Sequence, residues 1–164
     1  MARSPSRSIF LAVVGLILVS GQAVIRADDR PDLISAVRHG DRDGLAALLK
    51  TGVDVNAKEA DGSTALMWAS YRDDDESAAL LIQAGANPNI ANELGATALW
   101  AASMNGSASM TRRLLQAGAN PNLALLAGET PVMVASRSGS ADVVELLLAN
   151  GANVNAHGAR GQCW

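Results

Sequence analysis

Apolar residues recur along this chain in short helical patterns, and the patterns repeat. In each repeat an apolar segment, with positions of the Leu66 and Ala69 type, is followed by a turn and by a second segment that carries an apolar pair. Residues spaced at i, i+3 and i+4 share one face of a helix, so each repeat predicts two short amphipathic helices. The apolar pairs of the second helices are Leu81/Ile82, Leu114/Leu115 and Leu147/Leu148.

The helix pairs recur with a fixed period of 33 residues, which also separates the glycines after the second helices and the threonines before the first helices. Glycine takes the left-handed conformation at a helix C-terminus at low cost, and a threonine hydroxyl accepts a hydrogen bond from an unpaired backbone N–H group. These residues are Gly52, Gly85, Gly118 and Gly151, with Thr64, Thr97 and Thr130. A fixed period of this length predicts a stacked array of units.

The segments around the helix pairs carry a family resemblance. GANPN stands at 85–89 and again at 118–122, and DGSTALMWAS from Asp61 is matched by LGATALWAAS from Leu94. These units resemble the ankyrin repeat, whose pattern includes D-G-x-T-P-L-H-x-A-A and G-A-D-V-N. The resemblance implies an all-α ankyrin-repeat solenoid of stacked helix-turn-helix units joined by β-hairpin-like turns. The predicted boundaries are 28–60 for a looser N-terminal repeat, 61–93, 94–126 and 127–159 for three repeats, and 160–164 for the start of a truncated further repeat.

Several positions depart from the family pattern. Met67, Trp100 and Met133 stand where the family has histidine, so the tie between neighbouring repeats is expected to be apolar. Asp73 stands where later repeats have a glycine between the two helices. If the backbone there needs a positive φ, aspartate adopts it at a cost on the order of 1 kcal/mol.

The first thirty residues have the organisation of a targeting segment. Arg3 and Arg7 give a positive start, Ile9–Val19 is an apolar run, and small residues follow. This order is typical of a secretory signal peptide, here residues 1–27 with cleavage after Ala23 or Ala27. The run is shorter than the roughly 20 apolar residues that span a bilayer. The mature chain is therefore predicted to be periplasmic or secreted, without stable membrane insertion after cleavage. The alternative is an uncleaved N-terminal membrane anchor.

Composition narrows the classes of function. From residue 28 onward there are ten basic and sixteen acidic residues, a formal charge of −6 without a basic cluster, so nucleic acid is not an expected partner. The single cysteine, Cys163, excludes an internal disulfide and a cysteine-based metal site. Five aromatic residues leave the core to Leu, Ala, Val and Met. No nucleophile, base and acid stand at a sensible spacing, so neither an enzymatic activity nor a cofactor is predicted.

Two polar features are assigned structural roles. The run 73–76, Asp-Asp-Asp-Glu, lies where a second helix begins, and acidic residues there interact favourably with the helix dipole. A metal site or a basic partner is the alternative, although the spacing of a calcium-binding loop is missing. His39 and His157 lack a nearby cysteine or paired carboxylate, so they do not predict a zinc site.

The candidate partner contacts lie on the hairpin tips and on the first helices, at positions that form the concave face in the family. Trp68, Tyr71 and Arg72 together make a plausible contact patch, because such residues are enriched at binding hot spots. Alternatively, Trp68 packs against the neighbouring hairpin. The tip at 123–127 is unusually apolar and either contacts a partner or folds back on its neighbours. The full predicted set is Lys58, Glu59, Trp68, Tyr71, Arg72, Glu93, Leu94, Leu125 and Leu126.

These observations predict a non-catalytic protein–protein interaction module, an exported ankyrin-repeat scaffold that binds a protein partner of unknown identity through its hairpin tips and concave helix face. The alternative is the N-terminal repeat region of a longer exported protein whose C-terminal part carries the activity. A further repeat that begins near Gly161 and stops at Trp164 favours this alternative.

Overall fold

The structure, a computed structural model, describes residues 32–156. Eight helices lie in this part of the chain, in four consecutive pairs. The predicted signal peptide and the chain from residue 157 onward lie outside the described residues. The helices are α1 (Leu33–His39), α2 (Arg42–Lys50), α3 (Ala65–Tyr71), α4 (Asp75–Gln83), α5 (Ala98–Asn105), α6 (Ala108–Gln116), α7 (Pro131–Ser138) and α8 (Ala141–Ala149). Within these residues no helix has the length and apolar character needed to cross a membrane.

The helices stack in two rows. The odd-numbered helices α1, α3, α5 and α7 contact one another in order, and the even-numbered helices α2, α4, α6 and α8 do the same. The buried hydrophobic side chains are aliphatic or thioether, and the largest of them are Leu45, Leu66, Leu81, Leu99, Met110, Leu114 and Leu147. Each helix pair thus buries its apolar face against its neighbours, and the predicted all-α ankyrin-repeat solenoid is confirmed.

Threonine occupies the predicted N-cap position of three odd-numbered helices. The hydroxyls of Thr64 and Thr97 accept hydrogen bonds from the backbone N–H groups of Met67 (3.4 Å) and Trp100 (3.2 Å). Thr130 occupies the same position before α7, but its hydroxyl has no hydrogen-bond partner within the described residues. The capping prediction therefore holds in full for α3 and α5 and in position alone for α7.

Left-handed residues end the helices where the sequence predicts them. Gly85, Gly118 and Gly151, which follow the even-numbered helices, have φ angles of 91°, 86° and 86°. Between α3 and α4, Asp73 takes φ 56° in the slot that later units fill with glycine. It is the one non-glycine residue with a positive φ in the described part of the chain, so the backbone strain predicted there is present.

Three hairpin tips project from the helix rows and are joined to one another by backbone hydrogen bonds. The N–H of Glu93 donates to the carbonyl of Asp61, and the N–H of Leu126 donates to the carbonyl of Leu94, both at 2.9 Å. Gly95 is required here, because a Cβ at this position would lie 3.0 Å from the backbone of the next tip. The hairpin tips are residues 59–63, 92–96 and 125–129. They form a continuous edge along the array.

The first two hairpin tips are stabilised by different side chains. Asp61 accepts hydrogen bonds from the N–H and the hydroxyl of Ser63, both at 2.9 Å. Leu94 stands one period later and cannot do this. Instead Asn92 accepts hydrogen bonds from the N–H groups of Leu94 (3.0 Å) and Ala96 (2.9 Å). The second tip therefore keeps a turn-stabilising side chain. A comparison of Asp61 with Leu94 alone would suggest that this stabilisation is absent.

The last asparagine of each GANPN segment links neighbouring units. Asn89 accepts a hydrogen bond from the backbone N–H of Asn120 at 2.7 Å, and its amide donates to the carbonyl of Gly118 at 2.9 Å. Asn122 makes the equivalent pair of bonds one unit later. The repeated segment is therefore more than a spacer between helix pairs, since its asparagine side chain fixes the distance and orientation of the next unit.

Replacing Asn89 by alanine is expected to lower the free energy of unfolding by about 1–3 kcal/mol, because both hydrogen bonds between units are lost and backbone groups are left without partners. Urea denaturation followed by circular dichroism measures this effect. Asn155→Ala is the matched control, because Asn155 occupies the same position in the repeat but its side chain makes no hydrogen bond within residues 32–156. Equal destabilisation by the two substitutions would contradict this role of Asn89.

Candidate partner-binding groove

Residues of the hairpin tips and of the odd-numbered helices α3 and α5 line a pocket of about 330 Å³. We call this pocket the aromatic pocket, and we call the surface between the hairpin tips and the odd-numbered helices, in which it lies, the inner groove. The pocket wall is mainly apolar, and Asp61 is its one charged residue in the described part of the chain. The lining residues are Asp61, Ser63, Met67, Trp68, Tyr71, Asn92, Leu94, Ala96, Thr97, Trp100, Ala101 and Leu125.

The hollow arises from a difference between neighbouring units. Trp68 on α3 and Ala101 on α5 occupy the same position in the repeat, one period apart. A large side chain therefore faces a small one along the stacked helices, and both line the pocket. Leu94 from the second hairpin tip forms part of the rim with 68% of its surface exposed.

All three aromatic residues of the described chain line this one pocket. They are Trp68, Tyr71 and Trp100, and the buried core contains none of them. The rings of Trp68 and Tyr71 meet edge to face, with centroids 6.0 Å apart and planes at 84°, an arrangement that aromatic rings favour. Tyr71 leaves 55% of its surface exposed. The aromatic residues therefore line a surface pocket and lie outside the buried core, although Trp68 also packs against that core.

Trp68 is held in place by an ion pair from the preceding unit. Its indole N–H donates to the carboxylate of Glu59 at 2.9 Å, and the same carboxylate binds both terminal nitrogens of the Arg38 guanidinium at 3.0 and 3.1 Å. That guanidinium also lies 4.0 Å from the centroid of the Trp68 ring, a cation–π contact. Trp68 thus packs against a hairpin tip and lines the groove at the same time, which unites the two interpretations of this residue.

Trp100 was not among the predicted contacts, because the sequence assigned it to an apolar tie between repeats. It lies half-buried on α5 and lines the aromatic pocket. Its indole nitrogen is buried and has no hydrogen-bond partner in the described residues. A buried donor without an acceptor costs about 1–3 kcal/mol. One sequence signal could have pointed to Trp100 as a groove residue. It precedes Ala101, which stands one period after the predicted contact Trp68.

The structure brings four of the nine predicted contacts together. Trp68, Tyr71, Leu94 and Leu125 all line the aromatic pocket. The other five lie around it without lining it, and they are Lys58, Glu59, Arg72, Glu93 and Leu126. Among these, the carboxylate of Glu59 is engaged internally with Arg38, while the others are exposed.

The apolar segment 123–127 agrees in part with each of the two interpretations given for it. Leu123, Ala124 and Leu125 are half-buried against the array, whereas Leu126 is 77% exposed. The first part of this tip folds back on its neighbours, and the second part presents an apolar side chain to solvent.

The acidic run 73–76 is occupied by contacts within the array. Asp74 caps α4 through the N–H and hydroxyl of Ser77, at 3.2 and 2.7 Å, and also accepts from Arg42 at 2.9 Å. Glu76 pairs with the same arginine. Although partial burial alone would raise the pKa of Asp74, the hydrogen bonds from Ser77 and Arg42 outweigh it and lower that pKa. The helix-capping prediction is confirmed.

Asp75 joins α4 to α6. Its two carboxylate oxygens accept hydrogen bonds from Nε and Nη2 of Arg113 at 2.9 and 2.6 Å. This contact holds the pKa of Asp75 below its usual value. Neither arginine of these pairs was singled out in the sequence. Within the described residues, no three His, Cys, Asp or Glu side chains are arranged to hold a metal ion.

The sequence matches a family model described as ankyrin repeats (3 copies). The matches overlap and cover residues 12–92, 33–124 and 66–157. They include every helix of the array and the three hairpin tips.

Arg113→Gln is expected to lower the free energy of unfolding at neutral pH by about 0.5–1 kcal/mol, because the pair is partly exposed. The pKa of Asp75 is lower in the folded than in the unfolded chain, where it is about 4. The stabilisation by the pair is therefore present above pH of about 4 and is lost as the pH falls through the folded-state pKa. Urea titrations at a series of pH values should show the two proteins converging in acid.

The control for this experiment is Arg112→Gln, because Arg112 is the exposed neighbour on the same helix and makes no ion pair within residues 32–156. It should follow the parent protein at every pH. A difference between parent and Arg113→Gln that stays constant down to the lowest pH would contradict the assignment.

Proposed function

The chain belongs to the ankyrin-repeat family, and from this premise we propose that it is a non-catalytic module that binds a protein partner in the inner groove and along the hairpin tips. Ankyrin repeats are generally protein-interaction modules. The observation that carries the proposal is the position of the three aromatic residues within residues 32–156, which all line one open pocket on an array with an aliphatic core.

The groove has the physical properties of a binding surface. Leu94 and Tyr71 expose more than half of their surface at the rim of an apolar pocket. When a partner covers apolar surface of this kind, the surface is removed from water and the complex is stabilised. Trp68 is fixed by Glu59 and Arg38, so little conformational entropy is lost when a partner contacts it.

We also propose that the chain is exported. The support is the order of a positive start at Arg3 and Arg7, an apolar run, and small residues at Gly21 and Ala23. N-terminal sequencing of the protein isolated from its source should then find Val24 or Asp28 as the first residue. A protein that retains Met1 and sediments with membranes would support the anchor alternative instead.

The binding proposal is tested by capturing the partner with the full chain and measuring its affinity. Tyr71→Ala and Leu94→Ser change exposed side chains of the groove, so they should weaken the partner by about 2 kcal/mol each, or roughly thirtyfold in Kd, without unfolding the array. Isothermal titration measures the affinity, and thermal melts check the fold.

Val154→Ser provides a matched control, because Val154 is as exposed as Leu94, at 68%, but does not line the aromatic pocket. It should leave the affinity unchanged. If the groove substitutions are as silent as this control against every partner captured, the binding surface lies elsewhere and the proposal fails.

A further inference from the structure

We infer that the inner groove takes an extended, basic segment of its partner, with a large apolar side chain in the aromatic pocket and a neighbouring Lys or Arg beside Asp61 and Glu93. This inference rests on the proposed function and specifies the chemistry of the partner. It is carried by the pocket lining, by an unused hydrogen-bond donor and by the charges at the rim.

The pocket has room for a large apolar side chain together with the backbone that carries it. Its volume of about 330 Å³ is at the small end of ligand sites. Met67, Leu94 and Leu125 line it together with the three aromatic rings. A leucine, isoleucine or phenylalanine side chain from an extended segment would remove this apolar surface from water.

One donor in the pocket wall has no hydrogen-bond acceptor. The indole N–H of Trp68 is satisfied by Glu59, whereas the buried indole nitrogen of Trp100 has no partner in the described residues. An extended peptide presents a backbone carbonyl on either side of each side chain. Because the Trp100 nitrogen is buried, such a carbonyl reaches it only when the indole ring turns toward the pocket on binding, and a purely aliphatic ligand offers no acceptor at all.

The charges at the rim favour a cation. Asp61 and Glu93 lie on adjacent hairpin tips joined by a backbone hydrogen bond, and neither makes an ion pair within residues 32–156. By contrast, Arg38 is neutralised by Glu59, and Arg137 by Glu129. Hydrogen bonds from Ser63 keep the pKa of Asp61 low, so its carboxylate is charged at neutral pH.

Two exposed cations lie outside the pocket lining. Lys58 and Arg72 flank the first hairpin tip and the end of α3, and neither lines the aromatic pocket. The charge that an occupant meets at the pocket itself is therefore negative. The excess of acidic over basic residues from residue 28 onward acts in the same direction at longer range.

The experiment selects peptides of random sequence, displayed on phage, against the immobilised full chain. The expected result is a set of binders that share a large apolar residue next to Lys or Arg. The tightest binder is then synthesised and titrated against the protein. Trp164→Phe serves as the parent in this titration, so that the emission comes from Trp68 and Trp100 at the pocket.

Two pairs of variants separate the pocket from the charge. Leu94→Ser should weaken the peptide roughly tenfold or more, while the equally exposed Val154→Ser should not. Glu93→Lys should weaken it and reduce its salt dependence, whereas Glu145→Lys, on the exposed side of α8, should not. Binding should also shift the tryptophan emission of the parent.

Selection of acidic peptides, of basic peptides without an apolar residue, or of none at all would overturn this inference. So would binders that tolerate Leu94→Ser or leave the tryptophan emission unchanged. The proposed function is judged separately, by the captured partner. A partner that is lost with Tyr71→Ala but contacts the groove through an acidic or polar segment would refute the inference and leave the proposed function intact.

Discussion

The structure depends on one constraint, that no helix pair in it can bury its own apolar face. Each unit completes its core against the next, so stability resides in the contacts between units. Aliphatic side chains such as Leu66 and Leu99 fill these interfaces, and Asn89 and Asn122 hold the units at a fixed distance with hydrogen bonds across the second and third interfaces. The ion pair of Asp75 with Arg113 spans the same kind of interface on the even-numbered row.

Because these contacts hold the units together, the side chains of the hairpin tips and of the inner groove can differ from one unit to the next. A hairpin tip is closed by its own backbone hydrogen bonds and joined to the next tip by another, so the side chains there are not needed for the core. The same position in the repeat can therefore be Glu59 in one unit, Asn92 in the next and Leu125 in the third. Along the edge of the array the exposed side chains of the tips change from charged to apolar. The aromatic pocket is lined by both kinds, Asp61 from the first tip and Leu94 and Leu125 from the next two.

The periodic features could be read from the sequence, because they depend on local rules. The helix pairs, the threonine caps and the left-handed glycines follow from spacing and backbone preference, and even the unusual conformation of Asp73 follows from its place in the repeat. The contacts of Arg38 with Glu59 and of Arg113 with Asp75 could not be read in this way. They join residues 21 and 38 positions apart, and they depend on side-chain orientation that a period does not specify. The place of Trp100 in the aromatic pocket could not be read from the period either, for the same reason.

What distinguishes this array lies in its departures from the repeat. A perfect repetition would place the same side chain at each repeat position of the odd-numbered helices. No hollow would then form between neighbouring side chains of equal size. Because Trp68 is followed by Ala101 one period later, the row has a large residue beside a small one, and the space between them is the aromatic pocket. Tryptophan is too large for interfaces that Leu and Ala already fill. Trp68 lies instead at the surface, where Glu59 and Arg38 hold it in place, and it lines the pocket that the proposed function assigns to a partner.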